Sequence, residues 1–266
     1  MLSAALGVAL TYVLSPQAMA VWGWRVPILF GCLIVPLVFW LRRSLEETES
    51  FANSRPVQSN AAVMKRLSMN WEVVLVGAMM SILTTTTFYL ITVYTPTFGS
   101  QVLHLDPVGN MVVTLCVGLS NLIWLPIGGA ISDRIGRRPL LFAVPMVALL
   151  TAYPAMSWLV VDPSFAKLLA VELWFSVIFG LYNGAMIPLL AEIVPAEVRA
   201  AAFALAYSLA TAIFGGFTPA VSTYLVEATG NRAAPALWLS LAAAISLTAA
   251  ILSRRHAAAS LEAAPA

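Results

Sequence analysis

Eight apolar stretches of roughly membrane-crossing length, separated by short polar breaks, leave a chain like this few ways to fold. They run over 2–20, 26–41, 71–97, 108–131, 140–161, 167–192, 200–226 and 236–252. About 20 apolar residues span a bilayer as a helix, and only a helix or a closed barrel satisfies its own backbone in hydrocarbon. Only 10% of the residues are charged and 61% are hydrophobic, where a soluble domain carries about 25% charged. The expectation is an all-α integral membrane protein with eight transmembrane helices. The first run also resembles a signal peptide ending at Ala18-Met19-Ala20, but no Lys or Arg precedes Arg25 to form its positive region, so a span is the better reading.

The most informative break is Gly128-Gly129-Ala130-Ile131-Ser132-Asp133-Arg134-Ile135-Gly136-Arg137-Arg138-Pro139. So short a link makes the runs on either side antiparallel neighbours. Gly136 suits a tight turn because it tolerates φ > 0. Asp133 is placed to accept hydrogen bonds from free amides opening the next helix. Gly128 and Gly129 let a neighbouring helix come close, as does the Gly180-x-x-x-Gly184 spacing in the sixth run.

The cations orient the spans. Arg42, Arg43, Arg55, Lys65, Arg66, Arg134, Arg137, Arg138, Arg199, Arg254 and Arg255 fall on one side of an eight-span chain, and Arg25, Lys167 and Arg232 on the other. Positive loops stay inside, so both termini are expected in the cytoplasm. Trp22 and Trp24 suit the opposite membrane interface. A net charge of +2 gives no case for nucleic acid. Cys32 and Cys116 lie inside apolar runs and imply no disulfide framework, and His104 and His256 are too isolated for a metal site. No H-E-x-x-H, G-x-S-x-G or paired intramembrane aspartates are present, which leaves a membrane enzyme without a motif.

The G-x-x-x-S-D-R-x-G-R-R-P pattern between two membrane-length runs resembles the signature loop of the major facilitator superfamily of transporters. Further stretches resemble its metabolite–proton symporter branch: Gly23-Trp24-Arg25-Val26-Pro27, Thr84 to Phe98, Tyr182 to Pro188 with Glu192 to Arg199, and Ala206 to Pro219. Together they look most like the citrate–proton and tricarballylate–proton symporters. The resemblance implies twelve helices in two halves, with the signature between the second and third helices of a half. Residues 1–41 are then the last two helices of the N-terminal half and 42–70 the central cytoplasmic linker. Residues 71–253 form a complete six-helix C-terminal half, and 254–266 an irregular cytoplasmic tail. The first four helices are absent, and Met1 looks like a start inside the fifth. The resemblance implies a bacterial inner-membrane carrier moving a citrate-like anion with a proton and needing no cofactor. The alternative is a non-transporting remnant or partner subunit.

Hydroxyls and amides inside spans have to find partners, so they mark faces turned to protein or water. Candidate cavity residues are Thr84, Thr87, Tyr89 and Tyr94 in the third run, Asn121 in the fourth, Tyr182 and Asn183 in the sixth, and Tyr207 and Thr211 in the seventh. Thr114 and Gly118 share the face of Asn121. The threonines are equally readable as bonded to their own helix carbonyls. Glu172, the acid set well inside a span, is the candidate proton carrier; the competing reading is an outer salt bridge with Lys167. No Lys or Arg lies deep in a span, although a tricarboxylate needs cationic partners in a low-dielectric cavity. The resemblance implies that these come largely from the N-terminal half. It also implies a cytoplasmic gate network of Asp133, Arg134, Arg137, Arg138, Glu192 and Arg199, against loop charges that only set topology. Gly215-Gly216 and Pro219 suggest a bend or close contact in the seventh run.

Overall fold

A computed structural model describes residues 2–44, 65, 67–69, 71–194 and 198–262, and every regular element among them is helical. The expected linker between 45 and 64, the centre of the 195–199 turn and the last four residues lie outside the described residues. The chain divides into two compact units, Met1–Val63 and Met64–Ala266.

The first unit holds α1 (Leu2–Val13), a π-helical segment Met19–Gly23, α2 (Arg25–Cys32) and α3 (Ile34–Ser44). α1 packs on α2 and on the π segment. The break between α2 and α3 falls at Leu33, where Pro36 offers no N–H and crowds the carbonyl four residues back. Arg25 lies over the Trp24 ring, 5.0 Å from its centroid.

The second unit holds α4 (Trp71–Tyr89), α5 (Pro107–Ile135), α6 (Arg137–Val161), α7 (Phe165–Ile193), α8 (Arg199–Ala210), α9 (Thr218–Thr229) and α10 (Pro235–Glu262). α4 continues through π segments at Leu90–Tyr94 and Phe98–Val102, and α8 leads into α9 through another at Thr211–Gly215. Pro96 and Pro219 set these irregularities, since each removes a ladder hydrogen bond and crowds the carbonyl four residues before it, at Thr92 and Gly215. α4 packs against α7, α8 and α10; α5 runs along α7; α6 lies against α7 and α10. Tyr94, Tyr182, Phe175, Met80 and Leu83 are among the large side chains buried at the centre.

Seven helical stretches among the described residues are long and apolar enough to cross a membrane: Met19–Leu41, Trp71–Val102, Pro107–Ile135, Arg137–Val161, Phe165–Ile193, Arg199–Thr229 and Pro235–Ser253. The first of the eight expected spans is not reproduced. Its helix, α1, has 12 residues, about 18 Å of rise against a hydrocarbon core of about 30 Å. It stops short of Ser15 because the residue before Pro16 is pushed out of helical geometry. The C-terminal end differs in the opposite sense: α10 runs on to Glu262 through residues expected to be irregular, in keeping with the high helix propensity of the alanines at 257–259.

Candidate transport site

The structure joins α5 and α7 by contact between their backbones. A Cβ on Gly128 would meet the backbone of Gly180 and Leu181, one on Gly180 would meet Trp124, and one on Gly184 would meet the backbone of Gly128 and Gly129. The two glycine pairs read from sequence are thus two sides of one seam. α5 and α7, separated by one antiparallel helix, run in the same direction and keep register along it. Above the glycines the seam turns polar: the Ser176 hydroxyl lies 2.7 Å from Asn121 Oδ1 and 2.8 Å from the Ser120 hydroxyl. Asn121 therefore has a partner from α7. Asn183 is buried, and its Oδ1 has no hydrogen bond.

Nearer the start of α7, Glu172 is 3% exposed and its Oε2 has no hydrogen-bond partner. Its carboxyl interacts with the Thr95 side chain. The competing reading, a salt bridge with Lys167, is not what the structure contains. Lys167 Nζ bonds the Asp162 carbonyl at 2.8 Å and its carboxylate at 3.2 Å, and sits over the Trp158 ring. Lys167 lies five residues before Glu172 on the helix, and from there its ammonium reaches the preceding loop.

The threonines of α4 divide between the two readings. Thr87 donates to the Leu83 carbonyl at 2.7 Å, and Thr85 to that of Ser81 at 3.1 Å. Thr84 and Thr86 are equally buried, and their hydroxyls have no partner. Tyr182 is fully buried, and its hydroxyl donates to the Met80 carbonyl at 2.9 Å. It ties α7 to α4 instead of facing an open cavity. Ser246 of α10 makes a matching tie: it accepts from Leu83 N–H at 3.1 Å and donates to the Met79 carbonyl at 2.9 Å.

Tyr89 and Tyr207 are half-buried neighbours. Gly215 packs against the Tyr89 ring, 3.0 Å from where its Cβ would stand. That is the close contact expected at Gly215, placed at the end of the π segment that begins with Thr211, whose buried hydroxyl is unpaired. Tyr94 is buried on the π segment of the third span, beside Thr223 of α9.

At the other end of the seam, Gly136 alone links α5 to α6, at φ 90°. This is the left-handed region expected of it. Asp133 does not cap α6, because α5 runs on to Ile135 and leaves Asp133 in its last turn. It pairs instead with Arg137. Arg137 also reaches Glu192 Oε1 at 3.2 Å and the Ser132 hydroxyl at 3.1 Å. So three members of the expected gate network meet. Arg199 donates to the Val194 carbonyl at 3.4 Å, and among the described residues neither Arg134 nor Arg138 makes an ion pair.

Sequence reasoning passed over Thr95, Asn110 and Ser246. Asn110 carried a usable signal, because it lies one turn before Thr114 on the face that bears Gly118 and Asn121. Ser246 carried none, since any serine in a helix can bond its own backbone.

Polar groups held inside long apolar helices, a glycine seam and a one-residue glycine link flanked by charges fit a polytopic membrane protein. Residues 1–219 match the Major Facilitator Superfamily, and the chain belongs to that family. It is 55% identical over 262 residues to a citrate-proton symporter of Klebsiella pneumoniae, an alignment covering 98% of this chain and 59% of that protein. It is 49% identical over 247 residues to a citrate-proton symporter of Salmonella typhi, covering 93% of this chain and 57% of the relative. A glycine betaine/proline/ectoine/pipecolic acid transporter of Dickeya dadantii is 27% identical, covering 96% of this chain and 53% of the relative. The chain therefore spans less than two thirds of the length of these relatives. No solved structure matches it.

Proposed function

We propose that this chain is part of a twelve-helix, proton-coupled symporter carrying citrate-like or tricarballylate-like anions across the bacterial inner membrane. The observation that carries the reading is its 55% identity, along 98% of its length, to a protein named as a citrate-proton symporter. The buried, cation-free Glu172 supports it, because binding a proton removes the cost of an unpaired charge in a low-dielectric interior. Tyr89, Tyr207 and the unpaired Thr84, Thr211 and Asn183 are donors and acceptors for the carboxylates. The cations such a substrate needs come from the part of the carrier outside this chain.

The Asp133–Arg137–Glu192 cluster, with Arg134, Arg138 and Arg199 beside it, is the cytoplasmic gate. It biases the carrier toward one state by forming in that state alone. Placing both termini in the cytoplasm belongs to the same proposal. It requires α1, packed on α2, to complete an eighth crossing that 12 helical residues do not make alone. The test joins this chain to the segment of the Klebsiella relative that it does not match. In proteoliposomes, an inward proton gradient should drive labelled citrate uptake. A folded carrier that takes up no citrate, or takes it up without regard to the gradient, overturns the reading.

A further inference from the structure

At the end of the bundle remote from Gly136 lies a cavity of about 350 Å3 lined by Leu105, Asp106, Gly109, Asn110 and Phe165. Asn110 forms its inner wall and is 1% exposed, and its Nδ2 has no partner. The amide lies against Gly99, so closely that a Cβ there would overlap it. Gly99 stands one turn beyond Thr95 on the same span, and Thr95 interacts with the Glu172 carboxyl. Two orphaned buried polar atoms, Asn110 Nδ2 and Glu172 Oε2, thus sit beside consecutive turns of one helical face. One turn rises about 5.4 Å, a scale on which water relays connect buried polar groups.

We propose that Asn110 is the inner gate of a proton-access path from the Asp106 surface to Glu172. This deepens the proton-coupled reading above by naming the side from which the acid is loaded. A hydronium in the cavity passes its proton through water at Asn110 to Glu172 Oε2. The carboxylate becomes a neutral acid and a water molecule stays behind. Asn110 orients the relay and does not itself change charge. His104 stands two residues before Asp106 in the loop that lines the cavity. Tyr94 and Glu227 stand on the spans of α4 and α9, and Cys116 on α5. The cations of α5 and α6 cluster around Gly136, and Lys167 is held by Asp162. Asn110 is a positioning residue by this assignment, and Thr95 supplies the wall between the two.

The test needs no transport. Carbodiimide crosses lipid freely and modifies only protonated carboxyls, so modification of Glu172 in the 266-residue chain, localised by tandem mass spectrometry, reports its protonation. In vesicles with separately fixed pH on each side, modification should follow the pH of the compartment facing Asp106, identified by labelling a single cysteine at Asn231. Asn110→Leu should slow the response to a pH step on that side at least about tenfold, and Asn110→Ser, which replaces the amide with another hydrogen-bonding group, should retain it. Modification that follows the opposite compartment, is absent at every pH, or is unchanged in Asn110→Leu overturns the proposal. Because citrate uptake is measured separately, a chain that labels as expected but fails in the uptake assay breaks the functional reading and leaves this one standing.

Discussion

The two ends of the α5–α7 pair treat charge in opposite ways. At the Gly136 end, Arg137 bridges Asp133 and Glu192 in water, with the carboxylate side chains 65% and 54% exposed. At the other end, Glu172 and Asn110 are buried, each with an atom left unbonded. Exposed pairs form and break at little cost, which suits a latch that opens every cycle. A buried unpaired acid is costly whenever it is charged, which suits a group that has to gain a proton before the chain around it moves. The glycine seam between them fixes the distance from latch to acid.

The largest expected effect comes from that seam. Gly184→Leu places a side chain where the backbone of Gly128 and Gly129 stands, so it should yield no monodisperse protein by size-exclusion chromatography. A well-behaved Gly184→Leu would show that the two ends are not held by this contact. Next comes Glu172→Gln. In the assembled carrier, gradient-driven uptake should fall to background, while thermal stability stays equal or rises, because an amide removes the buried charge. A marked loss of stability would make Glu172 a structural partner instead. Tyr182→Phe removes one buried hydrogen bond to α4, which should cost about 1 kcal/mol and lower the melting temperature by about 2–4 °C, and Ser246→Ala removes two and should cost more. Arg137→Ala should leave the melting temperature within about 2 °C of the parent. Asp133→Asn in the assembled carrier should lower turnover far more than citrate affinity, since the proposed latch lies apart from the hydroxyls proposed to bind carboxylates.

The Gly136 end was far more legible in sequence than the Glu172 end. Gly136 announced its φ of 90° because a one-residue link between antiparallel helices leaves glycine as the unstrained choice. Both glycine pairs were legible as places of close approach, but that they face each other across one seam was not. Asp133 was misjudged because it was placed in a loop, whereas α5 continues past it. Glu172 was visible as an acid in an apolar run, but its isolation was not: whether Lys167 turns toward it or toward Asp162 is decided by the loop geometry that precedes α7. Tyr182 read as a cavity donor and proved to be a tie, since a tyrosine carries no mark of whether its hydroxyl meets substrate or a backbone carbonyl. The missing first span shows the limit of hydropathy. The run over 2–20 is apolar enough, but Pro16 divides the helix within it.

The Ser246 tie also bears on how the protein is made. Its hydroxyl completes the surroundings of Leu83 N–H from 163 residues further along the chain. At about 5–20 residues per second of synthesis, Leu83 waits roughly 8–33 s for that partner. α7 and α8 are synthesised within that interval, so α10 is the last of the helices packed on α4 to arrive. The hydroxyls of Ser81, Thr85 and Thr87 bond their own helix and need no such wait, so the tie to α10 is the polar contact of α4 that forms last.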